Sequence, residues 1–419
     1  MANGVTHLQH FVPREHMRPF DTDGDECVCA FNKIDGVLKK RINIGVICAR
    51  TWMYESTLLP TNFVEKTVTH PIEAGFWPIR NRILAGSVKT LTRPERKKIL
   101  RYIAFQDGRT HSAFSQQEQI AEYMTDLIEE LGANRRFRVP ATREEAREVS
   151  RHAMLSAMSG NPLSTRLPHL TLRIVKSTGR PFILGDDPVI RDNPIFSAAW
   201  GRWNGYRSPG VEVFMPISAQ MGILLFCTKT IERLDGLTRS DPTKLGPEWR
   251  AWLETDLDGY ALRGSFRMDF ARDKCERYLR SGLVIDVDDG FVDDKNRGAL
   301  TLASRWIIGE KEDDLSFIDA AIASEPELRE PPMADGEAMA MKTLVPVVIH
   351  DFMAHAYPGV SGEEAETLRQ FTFERIVRPA MERVRLRWAG DGERRADLIL
   401  RNPAVPFRTG EFELTDDED

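Results

Sequence analysis

The spacing of apolar and polar residues changes period several times along the chain. Residues 26–33 and 37–42 both look extended, and Ile34-Asp35-Gly36 between them is a hairpin signal because Gly supplies a positive φ at little cost. Residues 62–84 switch to mostly helical spacing, with Pro71 and Pro78 predicting kinks or two short helices. Thr92-Arg93-Pro94-Glu95 opens a better-marked helix. Thr92 can cap it, Pro94 suits the first turn, and Glu95 stands at capping-box spacing ahead of the stripe Ile99, Leu100, Ile103 and Ala104. Two more helices are predicted over residues 115–131, ending at Gly132, and 142–158.

Near His169 the period falls to two. Residues 170–175, 181–184, 211–216 and 222–227 read as four short strands, close enough in sequence to form a largely antiparallel sheet. Helical spacing returns over 246–280, with Trp249, Trp252 and Leu253 on one side. Beyond Val284 the signal weakens. Asp286, Asp288, Asp289, Asp293 and Asp294 read as a solvated acidic turn, since no Glu closes a calcium loop. Residues 323–338 resemble a linker, 341–387 form a last helical block, and the acidic tail 415–419 is expected to be disordered. The fold class implied is α+β: an N-terminal β-hairpin, a helical layer, a mainly antiparallel sheet and a helical C-terminal extension. The division expected is a core over 1–282, an irregular acidic and proline-rich region over 283–340, and the extension over 341–419.

Composition adds boundaries. The 419 residues are 42% hydrophobic and 29% charged with a net charge of -6, an ordinary globular balance that argues against coating nucleic acid as the main task. It leaves room for a local basic groove. Cys27-Val28-Cys29 lacks the spacing of a zinc ribbon, and the five scattered cysteines suit a reducing compartment. No stretch has the length of a membrane span and the N-terminus carries no signal pattern, so a cytoplasmic location is expected.

Candidate chemistry begins at His7, His10 and His16, which crowd the opening. His10 is favoured as an acid/base, metal ligand or phosphate contact because Phe11-Val12-Pro13 would seat it against a core. Arg109 follows the apolar stripe and Gln106. It either caps the helix or grips a carboxylate or phosphate. Asp186 ends a strand, where a carboxylate can face a pocket or bond its own turn. Glu65 and Glu73 lie on the kinked helical segment. Phosphate-loop, dinucleotide, nucleophile-elbow and His-Glu-x-x-His signatures are absent, and the spacing of His350 and His355 reads as structural.

These pieces together resemble a bacterial family of unknown function, numbered four-two-three-eight. Its members open with Gln-His-Tyr-Val-Pro, continue through a strand hairpin and a Glu-bearing helix to Gln and Arg-Thr, and then show Ser-Asp-x-Pro and Pro-Leu-Ser. The corresponding residues here are 9–13, Glu65 and Glu73, Gln106 with Arg109-Thr110, Asp186 with Pro188, and Pro216-Ile217-Ser218, spanning roughly 7–280. His111 stands where the family usually has Pro, and Gly185 where it has Ser. No activity is attached to the family. Its pattern is rich in polar residues, which implies binding or catalysis more than packing.

The leading expectation is a hydrolase for a phosphate-containing or nucleic-acid substrate. His10 is the acid/base or ligand, Asp186 with Glu73 the base or metal carboxylate, and Arg109 with Gln106 holds an anionic substrate. The rival is a non-catalytic binding or regulatory module in which Arg109 and Asp186 form a buried structural pair. Nucleic-acid binding through the basic runs 93–101 and 375–401 ranks third. The sequence names no metal, cofactor or oligomeric state.

Overall fold

The computed structural model describes residues 8–55, 59–132, 143–160, 167–193, 205–206, 210–232, 276–329 and 336–390. Strand β1 (Leu8–His10) leads through a helical turn, α1 (Arg14–Met17), to the hairpin β2 (Cys27–Asn32) and β3 (Val37–Asn43). Gly36 takes φ +67° at the turn, and the Asn32 side chain accepts the Ile34 and Asp35 N–H groups at 3.1 and 3.2 Å, so the expected turn chemistry is realised. β4 (Ala49–Thr51) then pairs antiparallel with β1.

The helical layer follows: α2 (His70–Leu84), entered through a π-helical turn at Glu65–Thr69, then α3 (Arg93–Gly108), α4 (His111–Glu130) and α5 (Arg143–Gly160). Pro71 falls in the first turn of α2 and Pro78 lies inside it. α3 carries the full capping box between Thr92 and Glu95. α4 starts four residues before the sequence pattern suggests, because Thr110 accepts the Ala113 N–H at 3.2 Å and caps it there.

β5 (Leu170–Ser177), β8 (Glu212–Pro216) and β9 (Met221–Cys227) form most of a five-stranded sheet, ordered β10-β5-β9-β8-β7, with β7 at Ile190–Asp192 and β10 at Val284–Val287. All its pairings are antiparallel except β10 on β5. The four-stranded sheet is ordered β3-β2-β11-β6, with β6 at Leu184–Gly185 and β11 at Trp306–Gly309. The inner strands of both sheets are covered on two faces. Val28 and Ala30 of β2 join the core built with Ile72, Phe76 and Ile103 of the helical layer. Cys29 and Phe31 join a second core with Val292, Leu300 and Ile318. Double burial explains why these strands read as continuous apolar runs.

Two expectations are corrected. The run 181–184 contributes only a two-residue strand, and it pairs in the four-stranded sheet. The stretch beyond 283, expected to be irregular, supplies β10, helix α6 (Asp289–Leu302), β11 and helix α7 (Phe317–Ser324). Its acidic run is solvent-exposed as expected, but it spans the end of β10 and the start of α6 rather than a turn: Asp288 accepts the Phe291 N–H at 2.9 Å and caps α6, where carboxylates oppose the positive end of the helix dipole. Helices α8 (Gly336–Ala356), α9 (Gly362–Thr372) and α10 (Arg378–Gly390) make up the C-terminal block, and Val345, Met381 and Val384 pack on Tyr123 and Leu127 of α4. Most of the helix expected over 246–280 and all of the acidic tail fall outside the described residues.

Candidate functional site

Phe11 and Val12 donate their N–H groups to the Cys48 carbonyl at 2.9 and 3.4 Å, which brings the exit of β1 against the inner face of α3. The His10 and Phe11 carbonyls then need donors, because a buried unpaired backbone oxygen is costly. α3 provides them. Gln106 Nε2 donates to the Phe11 carbonyl at 2.7 Å, and Arg109 Nη2 donates to the His10 carbonyl at 2.8 Å. Residues three apart on a helix share a face, so one face grips two successive carbonyls.

Arg109 is buried at 1% exposure. Its Nη1 donates to Glu73 Oε1 on α2 at 2.6 Å, and its guanidinium lies 4.9 Å from the Phe105 ring centroid and 5.8 Å from that of Tyr54. Burial opposes its charge, but Tyr54, Glu73 and Tyr102 outweigh that and raise its pKa, so the cation persists. The Tyr54 hydroxyl is 3.2 Å from both the His10 and the Arg109 carbonyls and has one proton to give. Glu65, half-buried on the π-helical turn, has its pKa raised by burial, lowered in part by Arg109 and raised again by Glu73. A second clamp involves Gln9, buried at the centre of β1. Its Oε1 accepts the Tyr54 N–H at 2.6 Å and its Nε2 donates to Glu55 at 3.1 Å. Glu55 in turn accepts the Asn62 N–H at 3.0 Å, where the backbone sits at φ +57°. Cys48 and Trp52, which flank β4, also hold positive φ, at 53° and 58°. The strained backbone therefore clusters around this network.

The histidines divide by environment. His16 is fully buried between Tyr102 and the β8–β9 hairpin. The Pro216 carbonyl can only accept, so Nε2–H donates to it at 2.8 Å, and the Tyr102 hydroxyl donates to Nδ1 at 2.9 Å. Burial pushes the His16 pKa down to about 3, so it is a neutral structural imidazole. His10 is half-buried. Its Nε2–H donates to the Ile44 carbonyl at 3.2 Å, and the Arg14 Nε lies 3.5 Å from the same nitrogen. Burial first, then Arg14, push its pKa down to about 4. The backbone of Gly45 also hydrogen-bonds the ring and, like Ile44, partly opposes that fall. His7 is outside the described residues.

Asp186 belongs to a different constellation. Its carboxylate accepts the N–H groups of Ser304, Arg305 and Trp306 at 2.7, 2.9 and 3.0 Å, fastening the turn that opens β11. Burial raises its pKa while those three bonds oppose the rise. Lys33, fully buried nearby, donates to the Leu300 and Ala303 carbonyls at 2.9 and 2.8 Å and so caps α6; burial pushes its pKa down to about 8. The expected Arg109–Asp186 pair does not form. Arg109 pairs with Glu73, and it is the next residue, Asp187, that reaches the helical layer, accepting from the Ser112 hydroxyl at 3.0 Å. Adjacent residues at a strand end point to opposite sides, and sequence alone does not say which one faces the helices.

The structure thus brings together His10, Gln106, Arg109 and Glu73, and places Asp186 elsewhere. Tyr54, Glu55 and Gln9 complete the network. Gln9 belongs to the opening that carries the family resemblance, whereas the signal for Tyr54 and Glu55 is faint, since Trp52-Met53-Tyr54-Glu55 reads only as a turn. Among the described residues no group of three His, Cys, Asp or Glu side chains is placed to hold a metal ion. No helix among them is long and apolar enough to cross a membrane. A family model described as "Protein of unknown function (DUF4238)" matches residues 8–313. No curated protein and no solved structure matches the chain.

Proposed function

The chain belongs to the DUF4238 family, and we propose that it works as a non-catalytic binding or regulatory module whose N-terminal strand is fastened to the helical layer by a buried Arg109–Glu73 pair. The observation that carries this reading is how Arg109 spends its donors. One Nη group goes to Glu73 and the other to the His10 carbonyl, so both Nη groups are engaged within the chain and the buried Nε–H is left without a partner. Gln106 likewise gives its amide to a backbone oxygen. The polar residues that carry the family pattern in this region bind one another or the chain itself. Removing one partner of a buried ion pair costs about 3–5 kcal/mol, so Arg109→Ala should lower the unfolding free energy by that order in a urea or thermal melt. An unchanged melt removes the support.

One observation favours the hydrolase reading. His10 presents a half-buried ring oriented by the Ile44 carbonyl, with the exposed Arg14 guanidinium beside it. A base held by a backbone acceptor is a recurring catalytic arrangement. In that reading the His10 imidazole takes a proton from water as its oxygen attacks a phosphoryl group, the P–O bond to the leaving alcohol breaks and that oxygen takes a proton from solvent, and Arg14 replaces Arg109 as the anion contact. A pKa near 4 makes His10 a weak base, which counts against it. The test is hydrolysis of nitrophenyl phosphate mono- and diesters by the full chain and by His10→Gln, which keeps the donor to Ile44. Turnover that disappears in His10→Gln overturns the module reading; no turnover in either sustains it.

A further inference from the structure

The chain has a formal net charge of -6, and its surface arginines are mostly matched to carboxylates. Arg18 pairs with Glu15 and Glu26, Arg180 with Asp293, and Arg383 and Arg387 share Glu130. One region departs from this habit. The first turns of α3 carry Arg93, Arg96, Lys97 and Lys98, and their one carboxylate, Glu95, is already taken by Arg82 and by the Thr92 cap. Arg96 reaches back to the Leu170 carbonyl and to that of Pro168 at 3.4 Å, which places it at the start of β5. Arg173 lies on that strand. It is half-buried, with its guanidinium 5.8 Å from the Phe226 ring centroid, Nη1 on the Leu172 carbonyl at 3.1 Å, and Nε without a partner. Burial and then Arg96 push its pKa down, the mark of like charges held close. None of these five cations has a carboxylate partner among the described residues. Four of them also sit near the N-terminal end of a helix, where the dipole disfavours cations.

We propose that α3 and β5 together form a nucleic-acid binding surface, in which Arg93, Arg96, Lys97 and Arg173 contact the phosphate backbone without reading sequence. Phosphates supply the missing counter-charge. Arg93 and Lys97 stand on one row of α3, about 6 Å apart along the axis at four residues of 1.5 Å rise. No large apolar side chain is exposed on α3 or β5. An acidic protein partner would want such an anchor, whereas backbone binding of nucleic acid is electrostatic throughout. Arg93 and Lys97 lie on the side of α3 away from Gln106, whereas Lys98 packs its stem on Gly75 of α2 and is left out of the surface, so the proposal stands or falls independently of the Arg109–Glu73 reading.

The experiment is fluorescence anisotropy of a labelled single strand titrated with the full chain, from about 50 to about 200 mM salt. With about 0.7 log units per engaged phosphate, four contacts give a slope near -2.8 and about a fiftyfold loss of affinity across that range. The charge reversal Arg93→Glu/Lys97→Glu suits the helix dipole, so its melt should match the wild type. It should weaken binding about tenfold or more at the lowest salt and flatten the slope by about 1.4. Absence of binding, a flat salt dependence, or undiminished binding by a folded variant overturns the proposal. Displacement of the strand by polyglutamate as readily as by unlabelled strand overturns it in favour of an acidic protein partner.

Discussion

Acid should destabilise this protein through His16, and the size of the effect follows from its surroundings. In the unfolded chain an imidazole titrates near 6.5. In the fold, His16 is sealed at 0% exposure, gives its one N–H to Pro216, and is pushed down to about 3. A depressed histidine pKa means that the unfolded state binds the proton first. Stability is therefore fully present above 6.5 and is lost as pH falls from 6.5 towards 3. At a pH of about 5 the unfolded imidazole is protonated and the folded one is not, a gap of about 1.5 pH units or about 2 kcal/mol. That is a large share of the roughly 5–15 kcal/mol that separates folded from unfolded states. His10 and His111 shift in the same direction, by burial first and then by Arg14 and Arg50 respectively, so the wild type alone does not isolate one residue. His16→Gln does: its amide can donate to Pro216 and accept from Tyr102 but does not titrate. Urea unfolding at pH about 7.5 and about 5 should show the loss between the two pH values to be about 2 kcal/mol smaller in His16→Gln than in the wild type. An equal loss in both proteins would refute the buried, neutral imidazole.

Three further outcomes are expected. Asp186→Asn replaces a carboxylate oxygen that accepts backbone N–H groups with a donor, and should cost about 2–3 kcal/mol in a denaturant melt while leaving the environment of His10, read by its imidazole NMR shifts, in place. A double-mutant cycle of Glu73→Gln and Arg109→Met should return a coupling energy of about 1–3 kcal/mol; additive losses would show that the pair does not interact in solution. Thr92→Ala removes the side-chain half of the α3 capping box while its backbone N–H can still donate to Glu95, and should lower stability by about 1 kcal/mol, with a matching loss of amide protection in the first turn by hydrogen exchange.

What the sequence settled by itself was local. The hairpin turn at Gly36, the α3 start at Thr92, the alternation of 170–175 and the apolar run of 222–227 each depend on residues a few positions apart, and each is found where the pattern puts it. The family pattern also led to His10, Gln106, Arg109 and Glu73, which meet around the exit of β1. Partner choice was decided only by the tertiary structure. Arg109 turns to Glu73, 36 residues away, and Asp186 to three N–H groups 118–120 residues further on. The same is true of β11, which enters the four-stranded sheet between β2 and β6, and of β10, which lies parallel to β5. The physical reason is that closing a longer loop costs little more than closing a shorter one, so nothing near Asp186 or Val284 in sequence marks the distant strand each will meet. Which of two neighbouring carboxylates faces which core then follows from strand register, and register exists only once the sheets have assembled.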